Sequence, residues 1–225
     1  PHYIGKFPEA LLSPWKEDVG ARAIAVGMGC GATRELYRRV CFLLSRFEGT
    51  LVIDADALNA LSLYGTHVLR NKACRVIVTP HPKEFSRLSG LSLEEVQRDP
   101  VAVAEGFARE YGVVVVLKGA VSVVTDGERT ALNVSGSPAL AKGGSGDVLS
   151  GIVCGLASRL PPFESAVCGA YVLGKAGEEA AARLGEYAAT VSDVVAALPA
   201  VLRRLTEQAN EQGKCEKGAP RDQIV

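Results

Sequence analysis

The stretch LVIDADALNALSLYGTHVLRNKACRVIVTPHP, residues 51–82, contains one complete unit of the pattern that decides the fold. It begins with a short apolar run at 51–53, passes through a helical segment at 57–63, and returns to a second apolar run at 76–79. Short apolar runs bounded by turn residues are typical of strands buried on both faces. A strand, a helix and a second strand at this spacing predict a βαβ unit with parallel strands.

The same alternation extends in both directions from this unit. We predict strands at 23–26, 51–53, 76–79, 113–117, 121–125 and 129–134, and helices at 33–47, 57–63, 83–88, 92–111, 147–158, 163–184 and 192–206. The last two strands flank Asp126-Gly127, a tight-turn pair that predicts a hairpin. The sequence therefore predicts a three-layer α/β sandwich with a mostly parallel, doubly wound sheet, helices on its faces and a hairpin at one side. We expect one domain over residues 1–206 and a polar, disordered tail over 207–225.

Composition excludes several classes of partner. The formal net charge is zero, so bulk electrostatics give no reason to expect nucleic-acid binding. No apolar run reaches the ~18 residues that a membrane helix needs, and no signal peptide is recognisable. The six cysteines form no CxxC pair and fit no zinc spacing. We therefore expect reduced thiols, no membrane partner and a cytoplasmic location.

The strongest local signal is the glycine-rich stretch KGGSGDVLSG, residues 142–151, which leads into an apolar helix. Glycines let the backbone approach a ligand closely, and the amide groups at a helix N-terminus favour an anion such as phosphate. Asp147 follows the turn and has two interpretations, an ordinary helix cap or a base that deprotonates an attacking hydroxyl. The stretch lacks the Lys-Ser/Thr ending of a Walker A loop.

Glycines also interrupt the two helices that follow this turn. Gly151 and Gly155 each cost ~1 kcal/mol of helix propensity relative to alanine. We expect them to allow close packing of the first helix on the sheet, and we expect the same of Gly169, Gly174 and Gly177 in the next helix.

Polar motifs follow four other predicted strands, at the edge where open α/β sheets bind ligands. His81 stands between two prolines in TPHPKE, residues 79–84, which favours substrate contact over a structural role. Asp54 and Asp56 form a carboxylate pair that can position Mg²⁺ or its waters, although Asp56 is equally compatible with a helix cap. Glu84 is a candidate for a helix-start carboxylate, a hydrogen-bond partner or a contact to a hydrated cation.

Two further strand ends belong to the same group. Lys118, followed by Gly119 and Ala120, is placed to reach a nucleotide phosphate. The loop GMGCG, residues 27–31, follows the first predicted strand but lacks the spacing of a dinucleotide fingerprint.

In this order and spacing, the motifs resemble those of the ADP/ATP-dependent NAD(P)H-hydrate dehydratase family, within the ribokinase-like superfamily. The resemblance extends from about residue 23 to residue 205. The Gly-Ser-Gly-Asp element is shared across the superfamily, whereas TPHPxE and DADAL distinguish the dehydratases from vitamin kinases. The resemblance implies a ribokinase-like fold and a metabolite-repair lyase, which converts hydrated NADH or NADPH, called NAD(P)HX, back to NAD(P)H. ADP or ATP would be the phosphoryl donor, with Mg²⁺.

The resemblance also assigns roles to residues. It implies Asp147 as the base and substrate contact, with Gly144 and Gly146 holding the transferring phosphoryl group. It implies contact of the hydrate with Gly29, Gly31 and His81. The donor nucleotide would lie against the residues Lys118, Gly119, Ala120, Val121, Ser122, Asn133 and Gly146.

The resemblance leaves partners and alternatives to test. It implies a homo-oligomer, a tetramer in the family, and association with an NAD(P)HX epimerase. Family members usually have a longer N-terminal portion than this chain supplies, so we expect that segment to be lacking. The alternatives are a ribokinase-like kinase of a small vitamin-type alcohol and a nucleotide-binding domain without activity.

Overall fold

The computed structural model describes residues 20–218, with side chains through residue 209. Six strands form one sheet: β1 (Ala23–Val26), β2 (Thr50–Ile53), β3 (Arg75–Val78), β4 (Val114–Leu117), β5 (Ser122–Thr125) and β6 (Thr130–Asn133). The helices are α1 (Arg34–Arg46), α2 (Asp56–Tyr64), α3 (Pro82–Ser89), α4 (Leu93–Arg98), α5 (Pro100–Tyr111), α6 (Ser145–Ala157), α7 (Pro162–Leu184) and α8 (Val191–Gly218). Short 3-10 turns lie at Thr66–Arg70 and Pro138–Leu140.

The strands follow one another across the sheet in chain order. The pairs from β1 to β4 are parallel, with Ile53 beside Val78 at the end of the β2–β3 pair. The pairs β4–β5 and β5–β6 are antiparallel. The predicted mixed sheet with a hairpin at one side is therefore confirmed.

Successive strand residues supply two separate cores because side chains alternate between the faces of a sheet. Leu51 and Ile53 on β2 belong to a core that includes residues of α1 to α5, whereas Val52 between them belongs to a core with α6 to α8. All three are inaccessible to solvent. The predicted three-layer α/β sandwich is confirmed by these two cores.

The winding differs from the doubly wound expectation in one respect. The parallel strands progress across the sheet in one direction, so right-handed crossovers place their helices on a single face. The second face is covered by α6 to α8, which follow the hairpin.

Two predicted helix boundaries are wrong. The single helix expected at 92–111 is divided into α4 and α5 at Asp99, whose φ of −142° and ψ of 76° are not helical. Pro100 causes the break, because the residue before a proline is disfavoured in the α conformation. The last helix continues past residue 206 to Gly218, which contradicts the disordered tail over 207–218. Residues 219–225 lie outside the described part.

The helix glycines divide into two groups. A methyl group on Gly169, Gly174 or Gly177 of α7 would come within 2.0–2.6 Å of a neighbouring atom, so these glycines do allow close packing. Gly151 and Gly155 of α6 are exposed and have no neighbour within 4 Å of such a methyl group, so the packing role expected for them is wrong. None of the helices in the described part is long and apolar enough to cross a membrane.

Candidate active site

One cavity of about 810 Å³ lies at the sheet edge where the parallel strands end. The structure brings together eleven of the predicted site residues around it: Asp54, His81, Glu84, Lys118, Gly119, Ala120, Ser122, Asn133, Gly144, Gly146 and Asp147. Gly29, Gly31 and Val121 are not in its lining. The carboxyl ends of β2 and β4, the first turns of α3 and α6, and the side of α7 form its walls.

The first turn of α6 forms one wall of the cavity. Gly144 is its N-cap, with a φ of +96° that favours glycine. No side chain caps this helix, and Asp147 is exposed in its first turn, so the alternative of Asp147 as the N-cap is not observed. Ser145 contributes a buried hydroxyl without a hydrogen-bond partner in the described part. The Ser145 N–H donates to the Lys142 carbonyl oxygen at 3.3 Å, whereas the Gly146 and Asp147 amides have no acceptor among the described residues and remain available to an anionic ligand.

Lys142 fixes the loop that precedes α6. Its Nζ donates hydrogen bonds to the carbonyl oxygens of Glu186 (3.1 Å), Tyr187 (3.0 Å) and Ala189. These carbonyl oxygens belong to the connection between α7 and α8. Hydrogen bonds from a charged donor such as lysine are stronger than those between neutral groups. The lysine thus joins the glycine-rich turn to the helices behind it.

His81 has a structural role as well as a place in the cavity wall. Its Nδ1 accepts hydrogen bonds from the backbone N–H groups of Lys83 (3.1 Å) and Glu84 (3.3 Å), and Glu84 Oε2 accepts from the His81 backbone N–H (2.8 Å). This is a capping box at the start of α3. Because Nδ1 accepts, the ring proton of the neutral imidazole is on Nε2, which lies 3.5 Å from Glu84 Oε1.

Burial lowers the pKa of His81 below its ordinary value, although the neighbouring Glu84 opposes the shift. Lys118 and Arg87 lower the pKa further. A neutral imidazole suits both functions of the ring, since Nδ1 must keep its lone pair for the cap and Nε2–H remains a donor.

A lysine and two carboxylates form the floor of the cavity. Lys118 Nζ donates to Asp54 Oδ1 at 3.0 Å and lies 3.8 Å from Glu84 Oε2. Asp54 and Glu84 have 2% and 9% of their side chains exposed, whereas Lys118 has 22% exposed. The two carboxylates outnumber the lysine, so the floor of the cavity has a formal negative charge and suits a phosphate only together with a further cation.

The turn after β2 directs its two carboxylates to different places. Ala55 has a φ of +51°, the only positive φ of a non-glycine residue in the part of the chain with described backbone. Asp54 points to Lys118, while Asp56 Oδ2 accepts a hydrogen bond from the Gly31 N–H at 2.6 Å. Asp56 therefore does not cap α2, whose N-cap is Ala55 without a side-chain hydrogen bond. It fixes the glycine loop after β1, which sequence reasoning did not predict.

The wall opposite the strand ends was missed by sequence reasoning. It is formed by Val134, Ser135, Gly136, Ser137, Pro138, Leu140, Ala170, Leu173 and Gly174. The segment after β6 can approach α7 because Gly174 lacks a side chain; a methyl group there would lie 2.0 Å from Ser135 Oγ. Asn133 fixes this segment, since its Nδ2 donates to the Ser135 carbonyl oxygen at 3.2 Å. The one available signal was Gly174, which indicated a close approach but not its partner.

The side chains of this cavity supply only part of the ligand set that a magnesium ion requires. The residues with described side chains contain no group of three or more acidic, histidine or cysteine side chains that could hold a metal ion. Mg²⁺ is commonly held by one or two carboxylates together with water and substrate phosphates. Asp54 and Glu84 fit that pattern, with the remaining ligands supplied by a nucleotide.

The sandwich, the glycine-rich first turn of α6 and the strand-end polar residues define the class: this is a ribokinase-like α/β protein. A family model described as NAD(P)H-hydrate dehydratase matches residues 7–199. The chain belongs to that family, as the motifs implied.

Relatives of this chain carry related names. It is 42% identical over 188 residues to the bifunctional NAD(P)H-hydrate repair enzyme Nnr of Moorella thermoacetica, which covers 82% of this chain and 35% of that protein. It is 37% identical over 186 residues to the ADP-dependent (S)-NAD(P)H-hydrate dehydratase of Cenarchaeum symbiosum, covering 82% and 63%. The chain thus spans about a third of the first relative and less than two thirds of the second.

A solved structure shows the same fold. The ADP/ATP-dependent NAD(P)H-hydrate dehydratase of Bacillus subtilis, co-crystallized with ATP/Mg²⁺ and soaked with CoA, matches with a TM-score of 0.71 at 30% identity. The match covers 81% of this chain and 66% of that one.

Proposed function

We propose that this chain catalyses the nucleotide-dependent dehydration of NAD(P)HX to NAD(P)H. The observation that carries the proposal is the single cavity in which the first turn of α6, the Asp54–Lys118 pair and His81 face common space. The first turn of α6, next to polar strand ends, can hold a phosphoryl group between a donor and an acceptor. Family membership and the names of the relatives support the choice of substrate.

The donor nucleotide occupies the side of the cavity near β4 and β5. ADP or ATP lies against Lys118 to Ser122 and Asn133, with its terminal phosphate at Gly144 to Gly146. Lys118 supplies the positive charge, and the α6 amides supply hydrogen bonds. Asp54 and Glu84 would hold Mg²⁺ through its waters, and the ion would supply neutralisation of charge on the phosphates.

The hydrate occupies the side near His81, with the loop of Gly29 and Gly31 closing over it. That loop does not line the cavity, but the Asp56–Gly31 hydrogen bond attaches it to the turn that does. His81 Nε2–H is a donor for a polar group of the substrate.

Asp147 is the base. Its carboxylate is exposed at the cavity and makes no hydrogen bond or ion pair within the part of the chain with described side chains, so it is free to accept a proton. It removes the proton of the ring hydroxyl while that oxygen forms a bond to the phosphorus and the donor's bridging P–O bond breaks. The ring nitrogen's electron pair then expels phosphate. Loss of a proton from the carbon next to the one that carried the hydroxyl restores the dihydropyridine ring.

The decisive experiment incubates the protein with the hydrate, Mg²⁺ and either ADP or ATP, and follows the absorbance band of NADH. We expect recovery of the reduced cofactor together with release of inorganic phosphate. No recovery with either donor would contradict the proposal, and a stable phosphorylated product without phosphate release would indicate a kinase instead.

The remaining expectations stay part of this proposal. A tetramer and association with an epimerase are implied by the family resemblance, and the word bifunctional in the name of the Moorella relative supports a second activity nearby. A cytoplasmic location agrees with the free thiols of the five described cysteines.

A further inference from the structure

Ser150, in the second turn of α6, makes a buried contact with the cavity floor. Its side chain is inaccessible to solvent, and its Oγ donates a hydrogen bond to Asp54 Oδ2 at 2.7 Å. Thr79 Oγ1, also inaccessible, lies 3.3 Å from the same Oγ. Because the Ser150 proton is directed to the carboxylate, Thr79 must be the donor to Ser150. The result is a directed series of donors from Thr79 through Ser150 to Asp54.

Three donors hold the Asp54 carboxylate, and at least one of them reaches each oxygen. Oδ1 accepts from the Ala55 backbone N–H at 2.8 Å and from Lys118 Nζ at 3.0 Å, and Oδ2 accepts from Ser150. The carboxylate is therefore fixed in one orientation by groups from the β2 turn, the end of β4 and α6.

The fixed Asp54 carboxylate lies beside the first turn of α6. A methyl group placed on Gly146 would be 3.7 Å from Asp54 Oδ2 and 3.3 Å from Lys118 Nζ. A carboxylate is itself an anion that the N-terminus of a helix attracts. If Oδ2 lost its donor, the amide groups of Gly146 and Asp147, which have no acceptor among the described residues, would be open to it.

We propose that Ser150 is a positioning residue that holds Asp54 away from the α6 amides, so that these amides and Lys118 remain available to the nucleotide's phosphates. Without Ser150, Asp54 competes with the ligand as an internal anion. The inference rests on the proposed function only for the identity of the ligand as a nucleotide.

Two variants separate this role from a purely structural one. Ser150→Ala removes the donor to Asp54. Thr79→Val removes the other buried hydroxyl of the same series but leaves the Ser150–Asp54 hydrogen bond in place, and it nearly conserves volume. Ser150→Ala leaves two buried groups with fewer partners, Asp54 and Thr79, whereas Thr79→Val leaves only Ser150 with fewer, so both lower stability and Ser150→Ala lowers it more. Only the first releases Asp54.

The test measures binding of ADP with Mg²⁺, and separately of inorganic phosphate, by calorimetry, together with the thermal midpoint of each variant. We expect Ser150→Ala to weaken ADP binding about tenfold and Thr79→Val to leave it within twofold of the unchanged protein. Equal affinity of Ser150→Ala and the unchanged protein, or equal weakening in both variants, would overturn the inference. Absence of ADP and phosphate binding by the unchanged protein would also overturn it.

A double-mutant cycle provides an independent measurement. In a protein that carries Asp54→Asn, the competing charge is absent, so adding Ser150→Ala should change ADP affinity by less than twofold. A further tenfold loss would show that Ser150 does not act through Asp54.

These binding measurements are separable from the dehydratase assay. If ADP binds and responds to Ser150 as expected but no hydrate is dehydrated, the proposed function fails while this inference stands. If dehydration is observed, we expect the KM for ADP in Ser150→Ala to rise more than kcat falls, because the change affects nucleotide binding.

Discussion

Two aspartates of the cavity, Asp147 and Asp54, have different surroundings. Asp147 is exposed and unpaired in the described part, whereas Asp54 is buried and fixed by three donors. A free carboxylate can accept a proton, while a fully hydrogen-bonded one is better suited to hold charge in place. The two acidic residues therefore differ in role because they differ in surroundings.

At Asp147 we expect the substitution Asp147→Asn to lower kcat by about 10²–10⁴-fold, the usual contribution of a general base. The amide keeps the size of the side chain, so ADP binding should stay within about twofold. Steady-state kinetics on the hydrate and calorimetry with ADP check the two halves of this statement. Glu128→Gln, an exposed carboxylate in the hairpin turn at the opposite edge of the sheet, is the control and should change neither. Turnover retained by Asp147→Asn would remove Asp147 from the role of base.

At His81 the lowered pKa gives a pH dependence with a definite sign. The unfolded chain binds a proton at a higher pH than the folded protein, so stability falls as the pH decreases below the ordinary histidine value of about 6.5. Protonation also removes the Nδ1 lone pair that caps α3. Denaturant titrations between pH 7.5 and about 5 should show this loss.

The variant His81→Asn isolates the histidine's share of this effect. Asparagine is a good N-cap residue and does not titrate, so the variant should keep α3 and lose the stability change in this pH range. An unchanged pH profile in the variant would assign the effect to another group.

Secondary-structure elements reach the cavity through close contacts at glycine. Helix α7 approaches the segment after β6 at Gly174, where a methyl group would be 2.0 Å from Ser135 Oγ and 2.7 Å from its carbonyl. Helix α6 has glycines at 151 and 155 that face open space. Glycine is therefore required for close packing in α7, whereas in α6 it faces open space and only lowers helix propensity.

Glycine-to-alanine changes in the two helices should have opposite signs. We expect Gly174→Ala to destabilise the protein by at least ~1–3 kcal/mol, because the backbone of Ser135 cannot move away cheaply. Gly151→Ala or Gly155→Ala should stabilise by up to ~1 kcal/mol each through helix propensity. Urea denaturation measures all three free energies of unfolding. Stabilisation by Gly174→Ala would show that α7 does not approach this segment as described.

The whole molecule places its cavity where both helical layers meet the sheet edge. His81 and Glu84 come from α3 in one layer, whereas Gly144 to Asp147 come from α6 in the other. Lys118 and Asp54 lie between them at strand ends. A ligand in this cavity contacts all three layers at once.

Because the complete cavity exists only in the folded state, a nucleotide should stabilise the whole molecule. At an ADP concentration of 100 times the dissociation constant, the gain is about 2.7 kcal/mol. Differential scanning calorimetry with ADP and Mg²⁺ should therefore show a raised thermal midpoint that increases with ligand concentration. Asp147→Asn should show the same increase, and an unchanged midpoint at saturating ADP would contradict nucleotide binding at this cavity.

Much of the fold and of the site could be predicted from local sequence. The alternation of apolar runs and helical segments predicted all six strands to within one residue at either end, and the chain's motifs identified the family. Strand ends of a parallel sheet meet at one edge, so motifs at those ends had to converge. The break at Pro100 was missed because the amphipathic pattern outweighed one local signal.

The sequence by itself determined the three-layer class, the family, the glycine-rich turn before α6 and the candidate base at Asp147. Only the tertiary structure decided the hydrogen-bond partners of Ser150 and Asp56, the capping by His81, and the wall formed by the segment after β6. Ser150 and Asp54 are separated by 96 positions in the chain, and a buried hydroxyl's partner depends on which groups folding brings within hydrogen-bond distance. Local patterns report periodicity and turns, whereas such long-range pairings exist only once the layers have packed.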